Sequence, residues 1–334
     1  MNLVIENTLY SLLIYMLLKE EWRESYYLLL KTTIPVEIIE KMKRKNLKVE
    51  VSELGSGTNK KNKIEWLLKH YKNLFEVYNI SKKIKKENKI LKIYGNNSLY
   101  MSLYFREFDF YCLEDGIVNY TFNNYENFKE KLKKVILLVY KKNKGFAIEK
   151  KIKKIYLTGL ASIPKDISYK VELINLKELW NKKTLEEQND ILDIFSFDLN
   201  IKEKIKGRSI ILFTQPLSED RIITEEEKIQ IYSKIIKKYP SNRLIIKTHP
   251  REKTNYKKIF KEYFILDNPF PFEILNLLDI KFNKAITLFS TAALGLGKEV
   301  KVDFYGTEVH TKILERFGSC DDIMKRNCFL EEEY

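Results

Sequence analysis

The sequence predicts an α/β protein with two doubly wound domains, each built on a largely parallel sheet. Short apolar runs alternate with Lys- and Glu-rich amphipathic stretches, which is the pattern of strands and helices in such domains. The alternation stops at a polar connector and then restarts, which indicates a second domain of the same kind. The length agrees, since 334 residues exceed the roughly 100–200 residues of one typical domain.

The first domain is predicted to begin with a strand at Asn2–Thr8, which ends in a polar turn and leads into a helix from Leu9 to Lys19. Further apolar runs bounded by charged or turn residues predict the other strands. These runs are Ser25–Leu30, Leu47–Val51, Ile90–Gly95, Phe108–Gly116, Lys154–Gly159 and Tyr169–Asn175. We place the first domain at residues 1–180, and we expect its ligands beyond the carboxyl ends of the strands.

A polar, helical linker over residues 181–207 separates the two predicted domains. The second domain covers residues 208–310, and a helical tail covers residues 311–334. The second-domain strands are predicted within Ser209–Pro216, Arg243–Pro250, Tyr263–Phe272, Ala285–Gly295 and Glu299–Gly306, and its helices begin near Thr224 and Glu273. We expect the two domains to face each other across a cleft, one holding a donor and the other an acceptor.

The formal net charge of +14 has three interpretations. Lysines spread along amphipathic segments such as Ser81–Ile90 and Lys129–Gly145 favour solvated helix faces. A nucleic-acid interface needs aromatic residues interleaved with basic ones on an exposed surface. The aromatic runs here are predicted to be buried, so we expect no nucleic-acid partner. The third interpretation is contact with an anionic membrane surface.

Cysteine usage and hydropathy point to a cytoplasmic protein. The cysteines, Cys112, Cys320 and Cys328, are odd in number and lack metal-ligand spacing, which predicts a reducing compartment and no structural zinc. The apolar stretch Leu9–Leu18 is about half of the ~20 residues that a membrane span needs. We therefore expect neither signal peptide nor transmembrane helix, and at most peripheral contact with the inner face of the membrane.

Four predicted strands of the second domain end in polar or aromatic loops, which should meet at one edge of the sheet. Ser290 and Thr291 open a predicted helix whose free N–H groups form an anion site. His249 and its basic neighbours would add donors to the same phosphate, and Glu273 suits a ribose diol. The predicted nucleotide-binding residues are Thr214, Gln215, Lys247, Pro250, Phe272, Glu273, Ser290 and Thr291. The Gly-rich phosphate loops GxxxxGK[ST] and GxGxxG are absent, which argues against ATPases, kinases and dinucleotide enzymes.

The order of four motifs along the chain carries a resemblance to a known family. The motifs are EDG at Glu114–Gly116, THP at Thr248–Pro250, PFE at Pro271–Glu273 and FSTAALG at Phe289–Gly295. Together with the opening NLVIENT, they resemble bacterial sialyltransferases of the lipooligosaccharide and capsule type, glycosyltransferase family 52. One run departs from the family: Leu9 and Ser11 stand where relatives often have Pro and Gln, which leaves the acceptor preference open.

The resemblance implies a GT-B fold with two Rossmann-like domains. It also implies that sialic acid is transferred, with inversion, from CMP-sialic acid to a terminal galactoside of a surface glycan, without a metal or other cofactor. The alternative within the same fold is a hexosyltransferase that uses a UDP-sugar. The sequence leaves the oligomeric state open, a homodimer included.

His249 is predicted to assist the departing phosphate, either protonated or as a neutral donor, since negative charge develops there. The general base is open between two carboxylates. Asp115 is favoured by resemblance to the related polysialyltransferases, and Asp220 matches an acid of the lipooligosaccharide branch, although an Asp before a helix also serves as an N-cap. Asn7, Glu114 and Gly116 are the predicted acceptor-binding residues.

Overall fold

In the computed structural model, which describes residues 1–53, 63–120, 151–297 and 299–319, the chain divides into two units, each with one parallel sheet. The first unit comprises Met1–Gly159 and Ile163–Thr184, and the second comprises Leu160–Ser162 and Leu185–Tyr334. The predicted amphipathic segment Lys129–Gly145 and residues 320–334 of the predicted tail, with Cys320 and Cys328, lie outside the described residues.

The sheet of the first unit has seven described strands in the order β3-β2-β1-β4-β5-β6-β7, and all neighbouring strands are parallel. The order reverses between β1 and β4, and in doubly wound sheets ligands bind beyond the carboxyl ends of the strands at this point. The strands are β1 Asn2–Glu6, β2 Tyr26–Leu30, β3 Lys48–Ser52, β4 Lys92–Gly95, β5 Phe110–Leu113, β6 Ile152–Leu157 and β7 Val171–Leu173.

Helices of the first unit follow its strands, as the alternation of the sequence predicts. The helices are α1 Leu9–Leu18, α2 Val36–Arg44, α3 Lys63–Glu87 and α4 Leu176–Lys182. The predicted strand and helix at the start of the chain are confirmed. Thr8 caps α1, because its hydroxyl accepts the backbone N–H of Ser11. Both faces of β1 are buried, which is why its sequence reads as an apolar run rather than an alternation.

The second unit repeats this topology on five described strands in the order β10-β9-β8-β11-β12, again all parallel. Its order reverses between β8 and β11. The strands are β8 Ile210–Phe213, β9 Leu244–Lys247, β10 Phe264–Leu266, β11 Lys284–Thr287 and β12 Lys301–Phe304. The helices are α5 Leu185–Ile194, α6 Ile201–Lys204, α7 Glu225–Ile236, α8 Tyr256–Ile259, α9 Glu273–Leu277 and α10 Thr311–Phe317.

Two elements of the second unit are shorter than the sequence predicts. β10 ends at Leu266, because the prolines that follow lack the N–H group needed to continue a ladder. The helix predicted after Ser290 is a 3₁₀ helix over Thr291–Leu296, which ends at Gly297 with a φ of 108°. Among the described residues, no helix combines the length and the hydropathy that a membrane crossing requires.

Candidate active site

His249 lies directly beyond β9, in a turn that we call the His-Pro loop, Thr248–Glu252. The backbone N–H of Arg251 donates to Nδ1 of His249 at 3.1 Å, so the neutral ring carries its proton on Nε2. Burial, together with the charges of Arg251 and Lys247, lowers the pKa of His249 to about 4. Of the two predicted forms, the structure therefore favours the neutral one, in which Nε2–H is a hydrogen-bond donor.

Lys247 is the last residue of β9, and its amine faces the protein interior. Nζ donates to the carbonyl oxygens of Thr248, at 3.0 Å, and of Asn268, at 3.1 Å, and lies 4.4 Å from the centre of the Phe270 ring. Burial lowers the pKa of Lys247 to about 8. The amine joins the loops that follow β9 and β10, which differs from the predicted direct contact with a phosphate.

The loops beyond β8 and β11 meet where the strand order reverses. The side-chain oxygen of Gln215 accepts the backbone N–H of Phe289 at 3.3 Å. The hydroxyl of the buried Thr214 donates to Glu252 of the His-Pro loop. Of the predicted nucleotide-binding residues, Thr214 and Gln215 are thus tied to the loops that carry His249 and Ser290.

Ser290 caps the 3₁₀ helix, with its hydroxyl 3.4 Å from the backbone N–H of Ala292, and its own N–H donates to Thr287. A 3₁₀ helix of six residues has a small dipole, so the predicted helix-terminus contribution to an anion site is weaker than the sequence suggests. Ser290 as a residue is half-buried at this edge. The side chain of Thr291 lies outside the described part of the structure.

Phe272 and Glu273 begin α9 beside the same edge. The Phe272 ring packs edge-on against Phe213, with the ring centres 5.3 Å apart. Glu273 is half-buried and its charge acts on Lys247, where it opposes the effect of burial. Pro250 is half-buried next to His249. The structure thus brings the predicted residues of the second unit to one sheet edge, and their roles in binding a nucleotide stay predictions.

Asp220 is engaged in an ion pair with Arg251 of the His-Pro loop. The two terminal nitrogens of the guanidinium group, Nη1 and Nη2, donate to its carboxylate at 2.7 and 3.0 Å, and both side chains are partly exposed. Asp220 does not cap the helix that follows it. The N-cap of α7 is Thr224, which forms a full capping box. Both oxygens of the carboxylate are therefore engaged by one side chain of the His-Pro loop.

Asp115 lies beyond β5 in the first unit and accepts hydrogen bonds from two residues that sequence reasoning missed. The amide of Asn96 donates to Oδ2 at 2.9 Å, and the hydroxyl of Thr8 also donates to the carboxylate. Burial raises the pKa of Asp115, and the two donors partly oppose this rise. Asn96 directly follows β4, the strand next to β1, and that position after a strand was the signal available in the sequence.

Glu114 is fully buried, unlike a residue that contacts an acceptor. Its carboxylate accepts the hydroxyls of Tyr120 at 2.8 Å, Tyr10 at 3.2 Å and Thr158 at 2.9 Å, and the backbone N–H of Thr158. Burial raises its pKa. Glu114 therefore joins β5, β6 and α1 through buried hydrogen bonds, and its predicted contact with an acceptor stays a prediction.

The end of β1 carries buried oxygen atoms that have no hydrogen-bond partner among the described residues. These atoms are Oε1 of Glu6 and Oδ1 of Asn7. Glu6 is fully buried, and burial raises its pKa well above the ordinary value; the negative charge of Asp115 raises it further. The other predicted acceptor residue, Gly116, adopts a φ of 123°, and no described atom lies within 4 Å of the position of an added Cβ.

No group of three or more His, Cys, Asp or Glu side chains in the described ranges is arranged to hold a metal ion. The prediction of a metal-free reaction remains a prediction.

Two doubly wound units, with polar residues at the strand ends where each order reverses, are the architecture of a GT-B glycosyltransferase. The sequence profile of glycosyltransferase family 52 matches residues 23–313. The chain belongs to glycosyltransferase family 52, as the order of its motifs predicts. An uncharacterized protein of Haemophilus influenzae is 44% identical over 243 residues, which are 72% of this chain and 76% of that protein.

Solved structures confirm the GT-B fold. The GT-B domain of a sialyltransferase from Photobacterium damselae matches with a TM-score of 0.55 at 12% identity, over 98% of this chain and 97% of that chain. A 2,6-sialyltransferase from a Photobacterium species, solved with CMP and lactose, matches with a TM-score of 0.53 at 14% identity, over 91% of this chain and 70% of that chain.

Proposed function

We propose that this glycosyltransferase transfers sialic acid from CMP-sialic acid to a terminal galactoside of a bacterial lipooligosaccharide or capsule, with inversion and without a metal. The observation that carries the proposal is the fixed orientation of His249. Its Nδ1 is occupied by the Arg251 N–H at 3.1 Å, so Nε2–H is left to donate to one phosphate at the edge of the second sheet. Membership of family 52 supports the same donor class.

The donor side of the reaction is the departure of CMP. As the bond between the anomeric carbon and the phosphate oxygen breaks, its electron pair moves to the phosphate, where a positioned donor stabilises the growing charge. Nε2–H of His249 supplies that donor, and the Ser290 hydroxyl supplies a second one. A nucleoside monophosphate leaving group needs few charges, in keeping with Lys247 being directed into the protein rather than toward the sheet edge.

The acceptor side needs a base that takes the proton of the attacking hydroxyl while the new glycosidic bond forms. We assign Asp115 to this step, because burial makes its carboxylate more basic while Asn96 and Thr8 hold it in one orientation. Asp220 is the alternative, and its carboxylate is already engaged by two bonds to Arg251. Asn7, half-buried after β1, stays a predicted acceptor-binding residue of this unit.

Calorimetric titration of CMP, UMP and UDP in the presence of a chelator tests the proposal. We expect CMP to bind more tightly than UMP or UDP to the wild-type protein, and His249→Ala to weaken the binding by about tenfold or more, or about 1.4 kcal/mol. His310→Ala is the matched control, since its Nδ1 also accepts a backbone N–H, from Lys312 at 3.2 Å. Tighter binding of UDP, or binding that needs a metal, would favour the hexosyltransferase instead.

We also propose that the protein works in the cytoplasm and contacts the inner membrane surface peripherally. The net charge of +14 supports attraction to anionic lipids. Leu68 and Phe75 of α3 are exposed by 66% and 65% and could enter the interface beside the lysines of that helix. Sedimentation with anionic vesicles at low salt tests this contact. Wild type should bind and Phe75→Glu should bind less; equal binding of both would contradict the role of α3.

A further inference from the structure

Glu252 ends the His-Pro loop, and its side chain is 1% exposed. The carboxylate accepts the backbone N–H of His249 at 2.8 Å and the hydroxyl of Tyr256 at 2.8 Å. It also accepts the hydroxyl of Thr214 at the end of β8. In the reverse direction, the N–H of Glu252 donates to the carbonyl oxygen of His249 at 2.9 Å. One buried carboxylate therefore closes the loop that carries His249 and joins it to the neighbouring strand.

Lys228 of α7 provides the charge that opposes this buried carboxylate. Its amine is 0% exposed and lies 3.6 Å from Glu252, 2.9 Å from Glu219 and 3.2 Å from Glu225. Burial raises the pKa of Glu252, whereas Lys228 and the donors from Thr214, His249 and Tyr256 lower it. Lys228 and Glu252 are both buried, so removing either one leaves the other uncompensated, whereas the side chain of Glu225 is 40% exposed.

The same set of charges reaches the segment that carries Asp220. Glu219 accepts the backbone N–H of Lys253, at 2.7 Å, in addition to the amine of Lys228. Lys228 therefore contacts both Glu219, the residue before Asp220, and Glu252, which closes the loop that carries His249. The carboxylate of Glu252 is the member that contacts the His249 backbone directly.

We propose that Glu252 is the positioning residue of the site: by closing the His-Pro loop, it keeps His249 desolvated and oriented as a neutral Nε2–H donor. Glu252 is bonded to protein groups on both carboxylate oxygens and acts through His249, not on a substrate. The proposal rests on the proposed function only for its catalytic meaning, since the orientation of His249 can be measured without a substrate.

The groups that act on His249 make a decisive test available. Burial, Arg251 and Lys247 lower its pKa, and Asp220 and Glu219 raise it. A nearby negative charge stabilises the protonated imidazole. Loss of that charge alone would therefore lower the pKa of His249 or leave it unchanged. Release of the loop would instead hydrate the ring and raise the pKa toward the ordinary value of 6.5.

The experiment is an NMR titration of the full chain, which has only three histidines, His70, His249 and His310. In Glu252→Gln, we expect the pKa of His249 to rise from about 4 toward 6.5 and the Nε2–H tautomer to lose its dominance. Tyr256→Phe removes one donor to Glu252 and keeps the ring packing, so it should give a smaller rise if Glu252→Gln folds poorly. Glu225→Gln is the matched control, because it removes another carboxylate from Lys228 without touching the His249 backbone.

A pKa of His249 that stays near 4 or falls in Glu252→Gln and Tyr256→Phe would overturn the proposal. CMP affinity, measured on the same samples, should fall by about tenfold in Glu252→Gln, as for residues that orient a ligand-binding group. If the pKa rises while neither the wild type nor the variant binds CMP, the positioning role stands and the proposed function fails.

Discussion

Gly295 lies so close to Phe272 that an added Cβ would stand 2.8 Å from Cζ of the ring. The carbonyl oxygen of Gly295 also accepts the side-chain amide of Asn276 at 2.8 Å, which holds the 3₁₀ helix against α9. The glycine in FSTAALG therefore allows close packing between the loops that follow β10 and β11, and a side chain at this position would displace the Phe272 ring.

Gly295→Ala should weaken nucleotide binding more than it weakens the fold. The new methyl group must displace the Phe272 ring, and because the atom it meets is the tip of a half-buried side chain, the ring can turn aside at little cost to the fold. We expect the Kd for CMP to rise by about tenfold with a small change in Tm. The double variant Phe272→Leu with Gly295→Ala should show no further loss from the alanine; additive losses would mean that Phe272 is not the group displaced.

Replacement of the two candidate bases should separate them by rate. Asp115→Asn should lower kcat by about 10²-fold or more, the usual contribution of a general base, whereas Asp220→Asn should cost less because Arg251 already engages that carboxylate. Since burial raises the pKa of Asp115, wild-type activity should be lost as the pH falls through that raised value. A larger loss in Asp220→Asn would reverse the assignment.

Binding of CMP should leave His249 neutral. In the free protein the pKa of His249 is about 4, so the ring is neutral near pH 6, and the proposed contact is a hydrogen bond from its Nε2–H to the phosphate. Calorimetry near pH 6 in buffers of different ionisation enthalpy measures the protons taken up on binding. The phosphate itself titrates at about pH 6, so the informative quantity is the difference between wild type and His249→Asn. We expect equal uptake in both; greater uptake in wild type would mean that a protonated His249 binds the phosphate.

Glu6→Gln should stabilise the protein at neutral and alkaline pH. Burial and Asp115 raise the pKa of Glu6 well above 4.5 in the folded state. At a pH between the unfolded and folded pKa values, Glu6 takes up a proton when the protein folds. The wild-type protein is therefore most stable, as far as Glu6 is concerned, below the unfolded pKa, and it loses stability as the pH rises toward the folded pKa. Tm measured from pH 5 to pH 9 should fall less steeply in Glu6→Gln than in wild type. Parallel curves would mean that Glu6 is ionised in the folded protein, and the exposed Glu40→Gln controls for general charge effects.

The sequence predicts the architecture well, because parallel strands buried on both faces read as apolar runs such as those of β1 and β2. It also predicts which loops gather, since consecutive strand ends of one sheet share an edge. The pairing of side chains is a different matter. Glu114 accepts from Tyr10 and Thr158, residues 104 and 44 positions away, and no local pattern distinguishes such a buried carboxylate from its neighbour Asp115.

Lys247 and Glu252, in the stretch Ile245–Glu252, also show that the sequence does not reveal the partners of a side chain. The charge of Lys247 beside His249 predicts a contact with a phosphate, and no local pattern marks Glu252. Only the packing of α7 and of the loop after β10 shows that both side chains face inward. The length of the helix after Ser290 depends on Gly295 and Gly297, one needed for packing and one for its positive φ. These constraints come from tertiary contacts and not from local propensity.

The burial of Lys228 and Lys247 makes both amines inaccessible to chemical labels in a protein with 60 lysines and arginines. Reductive methylation of the native chain should modify the exposed lysines rapidly and these two slowly. The labelling rates of Lys228 and Lys247, followed by mass spectrometry, therefore report how often the His-Pro loop and its neighbouring loops open to water.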